Sequence, residues 1–243
     1  MKQLKNYLSI LSMLLAMFLL TFASCTKEKS NRGNGDESDG FGLFSSHKGH
    51  KYVDLGLPSG IKWATCNVGA NSPEEYGDYF AWGETSPKKY YDWSTYKYCN
   101  GSYDSMTKYC EDSYYGKVDN KTELELKDDA ARVNWGGKWR MPTKEEQDEL
   151  RDTNNCTWEW TTLNGVEGYK VTSKKNGNFI FLPAAGYRGS DNLSNAGSYG
   201  RFWSSSLNAS YSNDAYYVYF NSDDVGWLNI SRCYGLSVRA VCE

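Results

Sequence analysis

Histidine, cysteine and paired carboxylates are the side chains with which a chain of this size could do covalent or acid–base chemistry. The 243 residues include 2 His, 7 Cys and 30 Asp+Glu. The histidines, His47 and His50, stand close together. A Ser/His/Asp or Cys/His centre needs an imidazole fixed in a packed site. A His-x-x-His pair at the edge of a tether lacks the outer hydrogen bonds that hold metal ligands in place. The expectation is therefore no metal and no cofactor. No G-x-S-x-G, phosphate-binding loop or dinucleotide fingerprint occurs. The acids leave a two-carboxylate glycosidase open, because the separation of two carboxylates belongs to the fold and not to the sequence.

The cysteines divide into Cys25 and six others: Cys66, Cys99, Cys110, Cys156, Cys233 and Cys242. An even number permits three disulfides among 15 connectivities. Cys99 and Cys110, near in sequence, are the pair expected first. No C-x-x-C or Cys/His spacing supports zinc.

These groups need elements to position them. Tyr52–Leu55 and Ile61–Val68 read as strands around the turn Leu57-Pro58-Ser59-Gly60, and Tyr79–Trp82 as another short strand. Residues 84–122 lack period and read as a long insertion loop. Asp128–Trp135 reads as a helix. Thr143–Asp152 is a second, with Thr143 and Glu146 forming a capping box. Gly168–Ser173 and Asn178–Leu182 flank Asn176-Gly177, a hairpin signal. Arg201–Ser205, Ala215–Asn221 and Leu236–Cys242 complete the strands. In the last, alternation of Leu236, Val238, Ala240 and Cys242 with Ser237, Arg239 and Val241 predicts one inward face. The fold class is α+β: mostly antiparallel strands, two helices and much loop.

The N-terminus carries an address. Lys2 and Lys5 precede an apolar run, Tyr7–Phe22, closed by Ala23-Ser24-Cys25 and then by polar Thr26-Lys27-Glu28-Lys29. The run is shorter than the ~20 residues of a bilayer span, and small residues end it as they end a secretory signal. Cysteine after the cut resembles a bacterial lipobox, which makes Cys25 the lipidation site. The organisation is then a signal peptide, 1–24, a flexible tether, 25–46, and one folded domain, 47–243. Loss of Lys2 and Lys5 with the signal takes the formal charge from −3 to −5, so acyl chains and not basic residues hold the membrane. The same charge, with no basic block, argues against nucleic acid as a partner. The expected location is the bacterial cell envelope, at the outer membrane or cell surface.

Tyr52-Val53-Asp54-Leu55-Gly56-Leu57-Pro58-Ser59-Gly60 and Lys62-Trp63-Ala64-Thr65-Cys66-Asn67-Val68-Gly69-Ala70 resemble the opening of the Fibrobacter succinogenes major paralogous domain family. Trp135-Gly136-Gly137-Lys138-Trp139-Arg140-Met141-Pro142-Thr143, Phe181-Leu182-Pro183-Ala184-Ala185-Gly186, Phe202-Trp203-Ser204-Ser205-Ser206 and Leu236-Ser237-Val238-Arg239 extend the likeness to the C-terminus. The resemblance implies a C-type-lectin-like domain, related to formylglycine-generating enzymes, with termini that meet and a loop-rich ligand face. Those relatives use a closely spaced cysteine pair near the C-terminus; Cys233 and Cys242 are farther apart. The Glu-Pro-Asn, Gln-Pro-Asp and Trp-Asn-Asp signatures of calcium-dependent sugar binding are absent, and Asp223-Asp224 supplies only a fragment of a calcium site.

Binding is left as the main expectation. From Tyr199 to Tyr234, 20 of 36 residues are Tyr, Ser, Asn or Asp, a composition that suits paratopes because tyrosine gives rigid contact area and small polar residues adapt. Asp, Tyr and Ser each arise from an Asn codon by one change at an adenine, and lectin-like lipoproteins of the resembled kind are targets of diversity-generating retroelements. The expected contact residues are Asn208, Tyr211, Asn213, Asp214, Tyr217, Asp223, Asp224, Trp227 and Asn229. The ligand would be a glycan or a surface protein, and the function non-catalytic. The competing expectations are an envelope enzyme (a carboxylate glycosidase or a divergent cysteine oxidase) and a structural unit of a surface appendage.

Overall fold

Short runs of β-branched and aromatic residues, punctuated by Gly and Asn, turn into short strands. The computed structural model describes residues 45–243; the expected signal segment, Cys25 and the tether as far as residue 44 lie outside the described residues. Among the described residues no helix is long and apolar enough to cross a membrane. The strands are β1 (Ser45–His47), β2 (His50–Val53), β3 (Lys62–Asn67), β4 (Cys156–Leu163), β5 (Val166–Ser173), β6 (Phe179–Pro183), β7 (Tyr187–Gly189), β8 (Asn192–Ser194), β9 (Gly200–Leu207), β10 (Asp214–Phe220), β11 (Val225–Ser231) and β12 (Arg239–Cys242). The helices are α1 (Ala130–Trp135) and α2 (Lys144–Arg151). The sheets run β1-β2-β3-β12, β11-β10-β9, β4-β5-β6 and β7-β8, with every strand pair antiparallel. The architecture is thus strand-rich α+β. Residues 84–122 are the long insertion, its only regular element a single turn of 3-10 helix at Trp93–Thr95.

The expected alternation in the last strand fails in an instructive way. Residues 236–242 are buried on both faces. Leu236, Val238, Ala240 and Cys242 belong to one core with Trp82, Tyr109, Trp139 and Trp203. Val241 points into a second core with Leu55, Trp63, Leu150, Val171 and Phe220. β12 is the partition between them. On β9, Phe202 and Trp203 likewise divide between the two cores, as do Val218 and Tyr217 on β10. Covering both faces demands close approach, and Gly200 provides it: a Cβ there would lie 1.9 Å from the Phe220 ring.

The N-terminal hairpin is tied down rather than loose. His47 Nε2 accepts the Lys138 amide at 2.8 Å, and its carbonyl accepts from Trp139 Nε1 at 2.8 Å. His50 stacks on Trp135 with ring centres 3.9 Å apart. Gly137 (φ 61°) makes room, since a Cβ there would meet His47 Nε2 at 2.2 Å. Residues 45 and 46, assigned to the tether, instead pair with Tyr52 and Lys51.

Local signals account for the helices. Thr143 accepts the Glu146 amide while Glu146 accepts that of Thr143, which closes the capping box before α2. Arg140 holds the same Glu146 through both guanidinium nitrogens. Asp129 caps α1, accepting from Arg132 N at 2.9 Å and from Met141 N at 2.8 Å. Burial raises its carboxyl from an ordinary 3.8 to about 6, against the pull of those amides. The native state then holds the proton more tightly than the unfolded chain, so stability falls as pH rises from about 4 to about 6. The slope amounts to roughly 3 kcal/mol. In Asp129→Asn this slope is expected to vanish; urea midpoints of both proteins at pH 4, 5, 6 and 7 measure it, and parallel curves would refute the assignment.

Candidate functional site

Three antiparallel strands, β9, β10 and β11, and the turns between them carry the expected contact residues. In β10 the sequence Asp-Ala-Tyr-Tyr-Val-Tyr-Phe alternates between faces. Val218 and Phe220 turn one way, where Phe220 packs at 5.9 Å from Phe202 and 5.3 Å from Tyr169. Ala215 and Tyr217 turn the other way onto Trp203. Tyr217 is only 4 % exposed, which corrects its assignment as a contact residue: its neighbours Tyr216 and Tyr219 stay only half buried. Asn208 is corrected too. At 3 % exposure it organises a turn, its side chain accepting the Ser210 amide and its carbonyl that of Tyr211, the work for which turns favour Asn.

The other expected residues do not form one patch. Tyr211 lies in the turn before β10, whereas Asp223 and Asp224 lie in the turn after it. A seven-residue strand separates the two ends by about 24 Å. At the far turn, Asn221 Oδ1 accepts from both Asp223 and Asp224 amides, and Tyr219 donates to Asp224. Asn213 is half-buried, with its carbonyl accepting the Arg232 amide. Asp214 sits beside it; burial pushes its carboxyl up while Ser231 and Arg232 pull it down.

Two aromatic surfaces emerge instead. The first is on β11. Trp227, 42 % exposed, meets Tyr216 edge-on at 5.3 Å, and Lys144 Nζ lies 4.3 Å from the Trp227 ring centre and 5.8 Å from that of Tyr216. Asp148 fixes the ammonium at 2.6 Å. Asn229 is exposed in register with Tyr216, and Leu228 is exposed on the opposite face of β11. The indole is thus held from two sides while one edge faces solvent.

The second surface joins Tyr211 to the insertion. Tyr114 is 64 % exposed and Tyr211 55 %; Tyr114 and Tyr115 meet edge-on at 5.0 Å. The Tyr103 hydroxyl, beside that of Tyr114, is raised above the ordinary phenol range. Burial raises Tyr115, and the neighbouring Tyr114 and Tyr211 add to it. The lack of period in residues 84–122 points to an insertion loop and singles out neither Tyr103 nor Tyr114. The available signal was composition, because that segment is rich in Tyr.

What holds this insertion is Arg232. Its guanidinium is fully buried and donates to Tyr96 Oη (2.9 Å), to the carbonyls of Tyr109 (2.8 Å) and Ser212 (2.7 Å) and to that of Lys108 (3.0 Å). Trp82, Tyr96 and Tyr109 rings surround it at 5.0, 5.3 and 5.9 Å. The Glu111 amide donates to Ser212 Oγ across the same junction.

The cysteines differ from expectation. Cys99 and Cys110 are free: Cys99 Sγ donates to the Trp93 and Tyr96 carbonyls and Cys110 Sγ to that of Asp112. Cys156, Cys233 and Cys242 are free as well. Burial pushes the Cys233 thiol up to about 12 and the Cys242 thiol up to about 11, so both stay protonated at neutral pH. Among the described residues no group of three His, Cys, Asp or Glu could hold a metal ion.

Residues 166–241 match the family described as a domain of unknown function, DUF8237. That span runs from β5 into β12, and it includes Tyr216, Trp227 and Arg232 but not Lys144 or Asp148. No curated protein and no solved structure matches the chain.

Removing the buried cation tests the arrangement. Arg232→Met leaves three carbonyls unpaired and is expected to cost at least about 3 kcal/mol. Limited proteolysis should then cut within residues 100–121 while the parent resists, and an uncut insertion would contradict this account.

Proposed function

We propose that this chain is a lipid-anchored protein of the bacterial envelope whose single domain is C-type-lectin-like and binds a ligand without catalysis. The anchor reading is supported by the Lys2/Lys5, apolar run and Ala23-Ser24-Cys25 sequence. The lectin-like reading is supported by the resemblance of the motifs from Tyr52 to Arg239, and by β2 and β12 both flanking β3 in one sheet, which brings the beginning and end of the domain together. The observation that carries the binding reading is Trp227: a partly exposed indole, braced by Tyr216 and Lys144 on an outer strand.

A ring already fixed in place loses little conformational freedom on binding. Its apolar face suits the CH face of a sugar, and the exposed amide of Asn229 offers both donor and acceptor to hydroxyl groups. A neutral or weakly polar glycan fits these groups; a surface protein is the other occupant the same ring could anchor, as aromatic hot spots do. Of the expected contact residues, Tyr211, Asp223, Asp224, Trp227 and Asn229 are accessible to a ligand, with Trp227 and Asn229 on one strand.

The full-length protein in detergent, applied to a glycan array and to intact cells, tests this directly. Trp227→Ala is expected to weaken the strongest signal by roughly tenfold or more, a loss of over about 1.4 kcal/mol. Its melting temperature should change little, because Trp227 belongs to neither buried core. Equal binding by the variant and its parent would refute the Trp227 site, and no binding to any array or cell would refute the function.

A further inference from the structure

A second concave site shares no residue with the Trp227 surface. Gly77, Asp78, Tyr79, Pro87, Lys88, Lys89, Tyr91 and Arg188 line an open concavity of about 350 Å³, the size of a small-ligand site. Its walls are fixed from within. Tyr79 Oη donates to the Ala185 carbonyl at 2.6 Å, and Tyr91 Oη donates to that of Tyr79 at 2.5 Å. Tyr91 and Ser190 exchange both backbone hydrogen bonds at 2.8 Å. Arg188 is on β7, its backbone paired with Gly235 in both directions (2.7 and 2.9 Å).

The charged groups are the informative part. Lys88 is already neutralised, its ammonium 2.9 Å from Glu84 and 3.0 Å from the Thr95 carbonyl. The Arg188 guanidinium is half-buried and rests 5.2 Å from the centre of the Tyr79 ring. Among the described residues neither Arg188 nor Lys89 has an ion-pair partner, and the Asp78 carboxylate has none either. A guanidinium fork whose carbon stem and ring contact fix it, but whose donors are unclaimed, is preorganised for a planar anion. Arg188 and Lys89 against Asp78 leave one positive charge in excess. That favours a monoanion over a dianionic phosphate, which Asp78 would repel. The Asp78 oxygens, acceptors only, call for hydroxyl donors on the same ligand.

We propose that this pocket binds an acidic monosaccharide, a uronate, with its carboxylate on Arg188 and Lys89 and its hydroxyls toward Asp78. The proposal is independent of the Trp227 reading, and the two fail separately. Glucuronate, its methyl ester, glucose and glucose 6-phosphate are titrated into the full-length protein in detergent and followed by calorimetry. Glucuronate is expected to bind about tenfold or more tightly than the ester or glucose, with affinity falling as salt rises. Arg188→Gln should abolish that preference, Arg188→Lys should restore part of it, and Trp227→Ala should leave it untouched. Equal binding of glucuronate and its ester overturns the proposal, and this comparison needs no variant, so it holds even if Arg188→Gln fails to fold. Tighter binding of glucose 6-phosphate would overturn the assignment to a carboxylate, and full glucuronate binding by a folded Arg188→Gln would overturn the role of Arg188.

Discussion

A positive charge in the interior, hydrogen-bonded to backbone carbonyls and a tyrosine instead of a carboxylate, is the constraint on which the insertion depends. Burying an ion is costly unless its hydrogen bonds are replaced, and at Arg232 the replacements come from backbone carbonyls and tyrosine. Those acceptors belong to Lys108, Tyr109 and Ser212, two loops far apart in sequence. The guanidinium therefore exacts a specific loop conformation: any rearrangement of residues 108–109 or 212 leaves donors unpaired in a dry site. Tyr109 accepts a positive φ of 57° in this arrangement. A long segment with little regular structure thereby becomes a defined wall that presents Tyr103 and Tyr114.

A second buried arginine applies the same logic on the last strand. Arg239, on β12, donates to Asn67 Oδ1 and to the carbonyls of Ala64 and Thr65. Desolvation pulls its pKa down to about 9, which leaves it charged at neutral pH. It ties the end of the domain to β3, near its beginning. Buried tyrosines extend the principle, since Tyr79, Tyr91 and Tyr96 each donate to a carbonyl outside a regular ladder. In a protein with this much loop, side chains supply the backbone partners that helices and sheets would otherwise provide.

Much of the fold was legible where the signal is local. The Thr143/Glu146 box and the Asn176-Gly177 turn each depend on a few neighbouring residues, and both structures form as read. β4 was missed although Thr157 to Thr162 alternates around Trp158 and Trp160 and ends at Asn164-Gly165, itself a hairpin signal. What the sequence could not display was burial. Tyr217 and Tyr216 are chemically identical neighbours, and only the cores on either side of β10 decide which is hidden. β12 misled for the same reason: alternation implies one covered face, whereas sheets and loops cover both. The Cys99–Cys110 pairing failed because nearness in sequence says nothing of where two sulfurs point.

β11 ends its sheet, and its outer row of amides and carbonyls meets no strand among the described residues. From Val225 to Ser231 it carries no charge and no proline, the usual guards against lateral pairing. Only one flank is protected, by the exposed Asp223 and Asp224, because Arg232 at the other end is buried. Trp227 and Leu228, exposed on opposite faces of β11, would be the first side chains an incoming strand covered. Any crowding of copies acts on this border before it acts on any other part of the sheet.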